Sequence, residues 1–358
     1  MKTYTQFDAP VKIYGAPCFD STGRLERLPK ALRAELGEGM EHLGRRCPGA
    51  RMALRTDSET FTVRMTLETL SPDVGVSIFG CQAISVYAGN KPDMCFLGLV
   101  NPPNYQAFTC ERTFTKCAKM EDIMLWLPRN EVVASVSIEV EDGAHVEAPT
   151  PYKYPVPVVY YGSSITEGGC PSRFTNSYNA IISRRLDADY VNLGFSGRAK
   201  GELIMADYIN SLEKSVFVMD YDHNTPTAEH LLNTHEPFFQ RIRAHDPALP
   251  VVMISAPDID YLKEGRERRD IVRRTWERAR AAGDENVYFI DGETLYGDTD
   301  REMCTVDGCH PTDLGFYRMA GVIEPVIRKI LESRANPVEK SVGLLYNHGS
   351  PTEINGGK

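Results

Sequence analysis

The sequence predicts an α/β protein of two unlike halves: an all-β sandwich, jelly-roll-like in pattern, and then a domain built on a parallel sheet. Three observations predict it. Up to about residue 148, short strands of mixed and alternating polarity are separated by turn residues. From Pro155 onward, apolar strands alternate with amphipathic helices, which implies βαβ units. Between them, Glu147 to Pro155 carries three prolines in nine residues, a semi-rigid crossing that suits a domain boundary. The chain of 358 residues is too long for one ordinary domain. The domains read as 1–150 and 151–336, with a carboxy-terminal segment at 337–358.

In the first half, Arg51 to Arg55 and Thr60 to Leu67 open the strand series, the second in strict alternation. Val74 to Phe79, Ala83 to Tyr87, Cys95 to Val100, Tyr105 to Phe114, Ile123 to Leu127 and Val132 to Val140 continue it. Ser71-Pro72-Asp73, Asn101-Pro102-Pro103-Asn104 and similar clusters mark the turns. Leu25 to Leu43 reads as helical in part, interrupted by Pro29, Gly37 and Gly39. Trp126 invites a sugar-stacking role, but its apolar surroundings favour a core position.

In the second half, Pro157 to Gly162 is a Val- and Tyr-rich run of the kind buried on both faces of a parallel sheet. It ends in Gly162-Ser163-Ser164, at the carboxyl edge where open α/β sheets hold ligands. Helix Ser177–Leu186, strand Tyr190–Gly194, helix Glu202–Ile209 and strand Ser215–Tyr221 follow. Thr227 to His245 is a helix broken or kinked at Pro237, Val251 to Ser255 a strand, and Arg266 to Ala282 a charged helix. Val287 to Ile290 is the last strand, and a helix from Asp313 to about Arg334 closes the domain.

Composition narrows the function classes. Hydrophobic residues at 42% and charged residues at 25% are ordinary for a globular chain. The net charge of -9 argues against a nucleic-acid or anionic-membrane partner and favours neutral or cationic small molecules or uncharged polymers. No apolar run suggests a membrane span, and Met1 to Tyr4 leads into no apolar signal region. The nine cysteines are scattered without a CxxC pair, so neither a zinc site nor a disulfide framework is indicated; a reducing cytosol is expected.

Four strand exits or following loops carry polar or small groups: Ser164, Gly197, Asn224 and the pair Asp307/His310. A parallel sheet brings such exits to one edge, and together these groups fit acyl transfer. Ser164 is the candidate nucleophile, His310 the candidate base and Asp307 the group that fixes the imidazole tautomer. The backbone N–H groups of Ser164 and Gly197 and the amide of Asn224 are candidate donors to an oxyanion, Gly197 because a side chain there could crowd it. Each residue also has a plainer reading. Asp307-x-x-His310 could be a capping turn, Asn224 a turn residue, and His223 a solvated loop histidine.

The blocks Gly162-Ser163-Ser164-Ile165, Asn192 to Gly197, Val218 to Asn224 and Asp307-Gly308-Cys309-His310-Pro311 resemble the SGNH (GDSL-type) hydrolase superfamily over roughly residues 155 to 335. The resemblance implies a three-layer α/β/α fold, Ser-His-Asp catalysis and no metal or organic cofactor. Two positions depart from its pattern: Ser163 stands where an Asp is usual, and Asp222 where a Gly is usual, which could alter substrate contacts. The first half resembles the amino-terminal sandwich of two-domain SGNH esterases, carbohydrate O-acetylesterases among them.

The expectation is therefore a cytosolic serine acylhydrolase acting on an acetylated oligosaccharide such as a manno- or xylo-oligosaccharide. A lipase-like or thioester hydrolase is the alternative enzyme, although Glu167 to Arg173 is too polar to flank a long acyl channel. A non-catalytic carbohydrate-binding protein on the same scaffold is the alternative from another class. A homo-oligomer is possible. Val342 to Tyr346, too apolar for a free tail, is expected to bring the segment 337–358 back onto the sandwich.

Overall fold

A computed structural model of the chain describes residues 1–257 and 262–335; the expected docking of 337–358 lies outside them. The first half supplies ten strands: β1 (Lys2–Thr5), β2 (Lys12–Tyr14), β3 (Arg51–Thr56), β4 (Thr60–Leu67), β5 (Ile84–Gly89), β6 (Cys95–Val100), β7 (Thr109–Thr115), β8 (Glu121–Trp126), β9 (Val133–Val140) and β10 (Val146–Glu147). They form two antiparallel sheets, one in the order β1-β9-β4-β7 and one in the order β10-β3-β8-β5-β6, with β2 also on β3. The alternation of β4 places Phe61, Val63, Met65 and Leu67 inward, against Leu54, Val86, Ile123 and Leu125 of the other sheet. This is the sandwich that the alternation predicted.

The second half forms a five-stranded parallel sheet, in the order β12-β11-β13-β14-β15, from β11 (Tyr154–Gly162), β12 (Ala188–Gly194), β13 (Val216–Asp220), β14 (Val251–Ile254) and β15 (Val287–Ile290). Helices Tyr178–Leu186 and Asp313–Ala335 pack on one face, and Leu203–Ser211, Ala228–His245 and Gly265–Ala281 on the other. The three layers agree with the expected fold class. Because β11 lies between β12 and β13, its carboxyl end opens where the strand order reverses, the place where such sheets bind ligands.

Three expected elements differ. Val74 to Phe79 is not a strand: Ser77 Oγ accepts the Gly80 N–H and starts a single helical turn, Ile78–Cys81. Tyr105 to Phe108 is loop, and the strand begins at Thr109. Pro237 sits inside one unbroken helix, Ala228–His245. The partial helix of the first half is two helices, Lys30–Leu36 and Met40–Arg45, separated where Gly37 and Gly39 take positive φ.

The two halves share a core. Ala53, Tyr87, Met124 and Trp126 of the β3-β8-β5 sheet belong to one buried cluster with Tyr160, Tyr178 and Tyr190 of the second half. Trp126 is 2% exposed and tilts against Tyr190 at 6.0 Å, so it is core, as its surroundings predicted. Arg51, fully buried, lies 4.5 Å over the Tyr190 ring and pairs with Asp189 across the same seam. Among the described residues, no helix is long and apolar enough to cross a membrane.

Candidate active site

Ser164 is placed by the close approach of three strand ends. A Cβ on Gly162 would lie 2.2 Å from the Asp220 carbonyl, and one on Gly194 2.1 Å from the Glu167 nitrogen, so only glycine fits at either position. Ser163 Oγ accepts the Ile165 N–H at 3.1 Å and begins the helical turn Ser164–Glu167. A capping serine thus stands where the related pattern has an aspartate. Asn179 and Asn192 donate to the Thr166 carbonyl at 2.7 and 2.9 Å and fix the turn from behind.

Ser164 Oγ lies 2.8 Å from His310 Nε2, and His310 Nδ1 lies 2.7 Å from Asp307 Oδ2. The other oxygen, Asp307 Oδ1, accepts the N–H groups of Cys309 and His310 at 3.0 and 2.7 Å. Asp307 therefore both shapes its loop and orients the imidazole. It does not cap the last helix, where Thr312 Oγ1 accepts the Gly315 N–H. Burial works to raise the Asp307 pKa, but the hydrogen bonds from His310 and Cys309 outweigh it and hold the carboxyl below its usual range. Cys170 N–H donates to the Pro311 carbonyl at 3.1 Å, so the loop after the serine is tied to the loop of the histidine.

The structure brings Asn224 and Gly197 to the same edge. Asn224 Nδ2 donates to the Phe195 carbonyl at 2.8 Å, tethering the loop that carries Gly197 and leaving its second N–H free to point elsewhere. Gly197 has φ +67°, while a Cβ there would meet no protein atom within 4 Å. Its need for glycine is thus set by the backbone rather than by crowding within the protein.

Asp222, expected near substrate, is 1% exposed. Its Oδ2 accepts the Ala256 N–H at 2.8 Å, and its carbonyl accepts from Arg268 at 2.9 Å. It anchors the Asn224 turn instead of facing a ligand, and burial pushes its carboxyl up to about 6. His223 is not a solvated loop residue either: its Nε2 lies 3.0 Å from Cys309 Sγ. Burial, reinforced by His310, lowers the His223 pKa to about 4, and burial raises the Cys309 thiol to about 11, so a thiol S–H faces a neutral imidazole.

Sequence reasoning missed Glu167, which it read as part of a polar loop. The side chain is completely buried between Arg27 (3.2 Å) and Arg129 (3.4 Å), and Ser196, next to Gly197, hydrogen-bonds to the same carboxylate. Burial alone would raise its pKa; Arg129 and Arg27 outweigh that and hold it below the usual range. Both arginines come from the first half of the chain. Arg27 also donates to the Asn192 carbonyl at 3.2 Å, at the end of β12. No local signal in the sequence connects residues so far apart.

Residues 155–328 match the GDSL-like Lipase/Acylhydrolase family, and residues 2–146 match the family described as the N-terminus of Esterase_SGNH_hydro-type. No curated protein matches the chain. A solved structure described as a GDSL-like lipase from Bacteroides ovatus is 23% identical with TM-score 0.82, covering 92% of this chain and 98% of the other. The salicylyl-acyltransferase SsfX3 from a tetracycline biosynthetic pathway is 21% identical with TM-score 0.74, covering 96% and 98%. A family two carbohydrate esterase from Clostridium thermocellum, in complex with cellohexaose, is 17% identical with TM-score 0.58, covering 80% and 93%. At these identities the likenesses establish the shared fold.

Proposed function

Because residues 155–328 of this chain belong to the GDSL-like lipase/acylhydrolase family, we propose that the protein is a serine acylhydrolase that removes short O-acyl groups, O-acetyl above all, from carbohydrates. The observation that carries the proposal is the line of contacts from Ser164 Oγ through His310 to Asp307, 2.8 and 2.7 Å long. Ser164 attacks the ester carbonyl as its proton passes to His310 Nε2, and Asp307 steadies the imidazolium that forms. The tetrahedral oxyanion is held by the N–H groups of Ser164 and Gly197 and by the Asn224 amide. Collapse expels the sugar oxygen, which takes the proton from His310. Water, deprotonated by the same imidazole, then releases the acyl group from Ser164.

The sugar ester is supported by the short loop 170–173, whose exposed residue, Ser172, is polar; the Cys170 N–H ties it to the histidine loop and Ser172 ties it to Asp313. It is supported also by the fold shared with carbohydrate esterases, one of them held with cellohexaose. An intact Ser164–His310 hydrogen bond disfavours a purely carbohydrate-binding role. The test is acid release from acetylated oligosaccharides, acyl-chain esters and thioesters, with Ser164→Ala beside the wild type. Acetyl release from oligosaccharides that disappears in Ser164→Ala, with a serine-directed phosphonate adding to Ser164, is expected. Preference for long-chain esters or thioesters would shift the substrate class, and full turnover by Ser164→Ala would end the serine mechanism.

A further inference from the structure

Four hydrogen bonds close a circuit around the candidate reacting groups. The Gly162 carbonyl, two residues before Ser164, accepts the Phe195 N–H at 2.9 Å. The Phe195 carbonyl accepts from Asn224 Nδ2 at 2.8 Å. His223, the residue before Asn224, has Nε2 3.0 Å from Sγ of Cys309, the residue before His310. The Ser164–His310 contact, 2.8 Å long, completes the circuit. Among the described residues, the His223–Cys309 contact is the only hydrogen bond between the Asn224 turn (221–225) and the histidine loop (305–312). The tie from the Cys170 N–H to the Pro311 carbonyl runs to the serine side instead. The Asn224 turn, for its part, is anchored through Asp222 to Ala256 and Arg268.

His223 Nδ1 is buried without a hydrogen-bond partner, so Cys309 is the only group that orients this ring by a hydrogen bond. With the thiol protonated, Nε2 accepts the S–H and Nδ1 carries the ring proton. We propose that Cys309 and His223 are a positioning pair that holds the oxyanion donor Asn224 in register with the base His310, a role that rests on the serine-hydrolase reading above. Neither group touches the ester. The pair fixes the span between the Asn224 amide and the imidazole, so that both meet a single tetrahedral intermediate. Its neutrality serves the same end. Burial, then the neighbouring His310, keep the His223 imidazole uncharged, and an uncharged ring does not oppose the imidazolium that forms on His310 during attack.

The test is steady-state hydrolysis of a small aryl acetate by the full chain, with melting recorded for every variant. Cys309→Ala should lower kcat by about ten- to a hundredfold and leave KM within about twofold of the wild type, because alignment is lost and ground-state binding is kept. Cys309→Ser, whose hydroxyl still donates to Nε2, should recover most of that kcat. His223→Leu should match Cys309→Ala, and the double variant should be no slower than either single one, since all three lack the same link. Wild-type kcat in Cys309→Ala would overturn the pair. So would a Cys309→Ser protein as slow as Cys309→Ala, or single losses that add in the double variant. A wild type that hydrolyses no ester is a different result: it refutes the serine-hydrolase reading itself, and the role of the pair with it.

Discussion

The guanidinium of Arg129 reaches out of the first domain to within 3.4 Å of the Glu167 carboxylate, three residues after Ser164. The same Nη2 lies 3.3 Å from Ser196 Oγ, and Nη1 pairs with Asp73 at 2.8 Å. The sandwich thus supplies a cation directly behind the turn of the candidate nucleophile and beside the loop of Gly197. The first domain is part of the frame of the site rather than a module attached to it.

Arg129→Met should therefore act on both stability and turnover. Glu167 would keep the Arg27 ion pair and the Ser196 hydrogen bonds, and breaking a buried pair of this kind costs about 3–5 kcal/mol. Where the variant folds, kcat should fall more than KM rises, since the Ser196–Gly197 loop loses one of its braces and keeps only Glu167 on that side. Arg129→Lys, which keeps the charge but not the fork, should restore part of the stability and less of kcat. Denaturant melts and steady-state kinetics on a small aryl acetate measure both. A Met variant with wild-type melting and kcat would remove Arg129 from this role.

Asn224→Ala removes one donor from an oxyanion that exists only in the transition state. On the proposed mechanism kcat falls by roughly 10²–10³, about 3–4 kcal/mol, with KM little changed. The Phe195 carbonyl also loses its tether, so the variant's melting should be recorded beside its kinetics. A raised KM at unchanged kcat would instead place Asn224 in ground-state binding of the sugar.

Asp220 lies fully buried beneath the serine turn, accepting from Thr166 Oγ1 at 2.8 Å and Tyr178 Oη at 3.0 Å. Burial, and then the nearby Asp222 carboxylate, raise its pKa from 3.8 to about 7. With the folded value above the unfolded one, the native state binds the extra proton between them. The stability this group contributes is complete below about pH 4 and is lost as the pH rises through about 7. Asp220→Asn should flatten the fall of unfolding free energy across that window, read from denaturant melts at several pH values. Parallel slopes for the two proteins would contradict the assignment.

What the sequence made legible was local. The serine turn and the Asp307–His310 loop each work within a few residues, so spacing alone reveals them, and the strict alternation of β4 reveals its buried face. Val74 to Phe79 alternates in the same way, yet Ser77 and Gly80 carry a capped helical turn that periodicity does not detect. Glu167 was illegible for a different reason. Its partners Arg27 and Arg129 lie far away along the chain, and a buried carboxylate looks like any surface acid until both are in place. The same holds for His223, whose partner Cys309 arrives from the other end of the domain.

The seam between Trp126 and Tyr190 has a consequence for how the chain is made. Synthesis runs from the amino terminus, so the sandwich leaves the ribosome before the residues that cover its outer face. Until residue 160 has emerged, Tyr87, Met124 and Trp126 have no Tyr160 to pack against, and until residue 190 has emerged they have no Tyr190. The nascent sandwich therefore passes through a stage in which it exposes an aromatic surface suited to a chaperone. A fragment ending at residue 150 should keep that surface, bind apolar dyes and aggregate, whereas a soluble, sharply melting fragment would show that the sandwich matures without waiting for its partner.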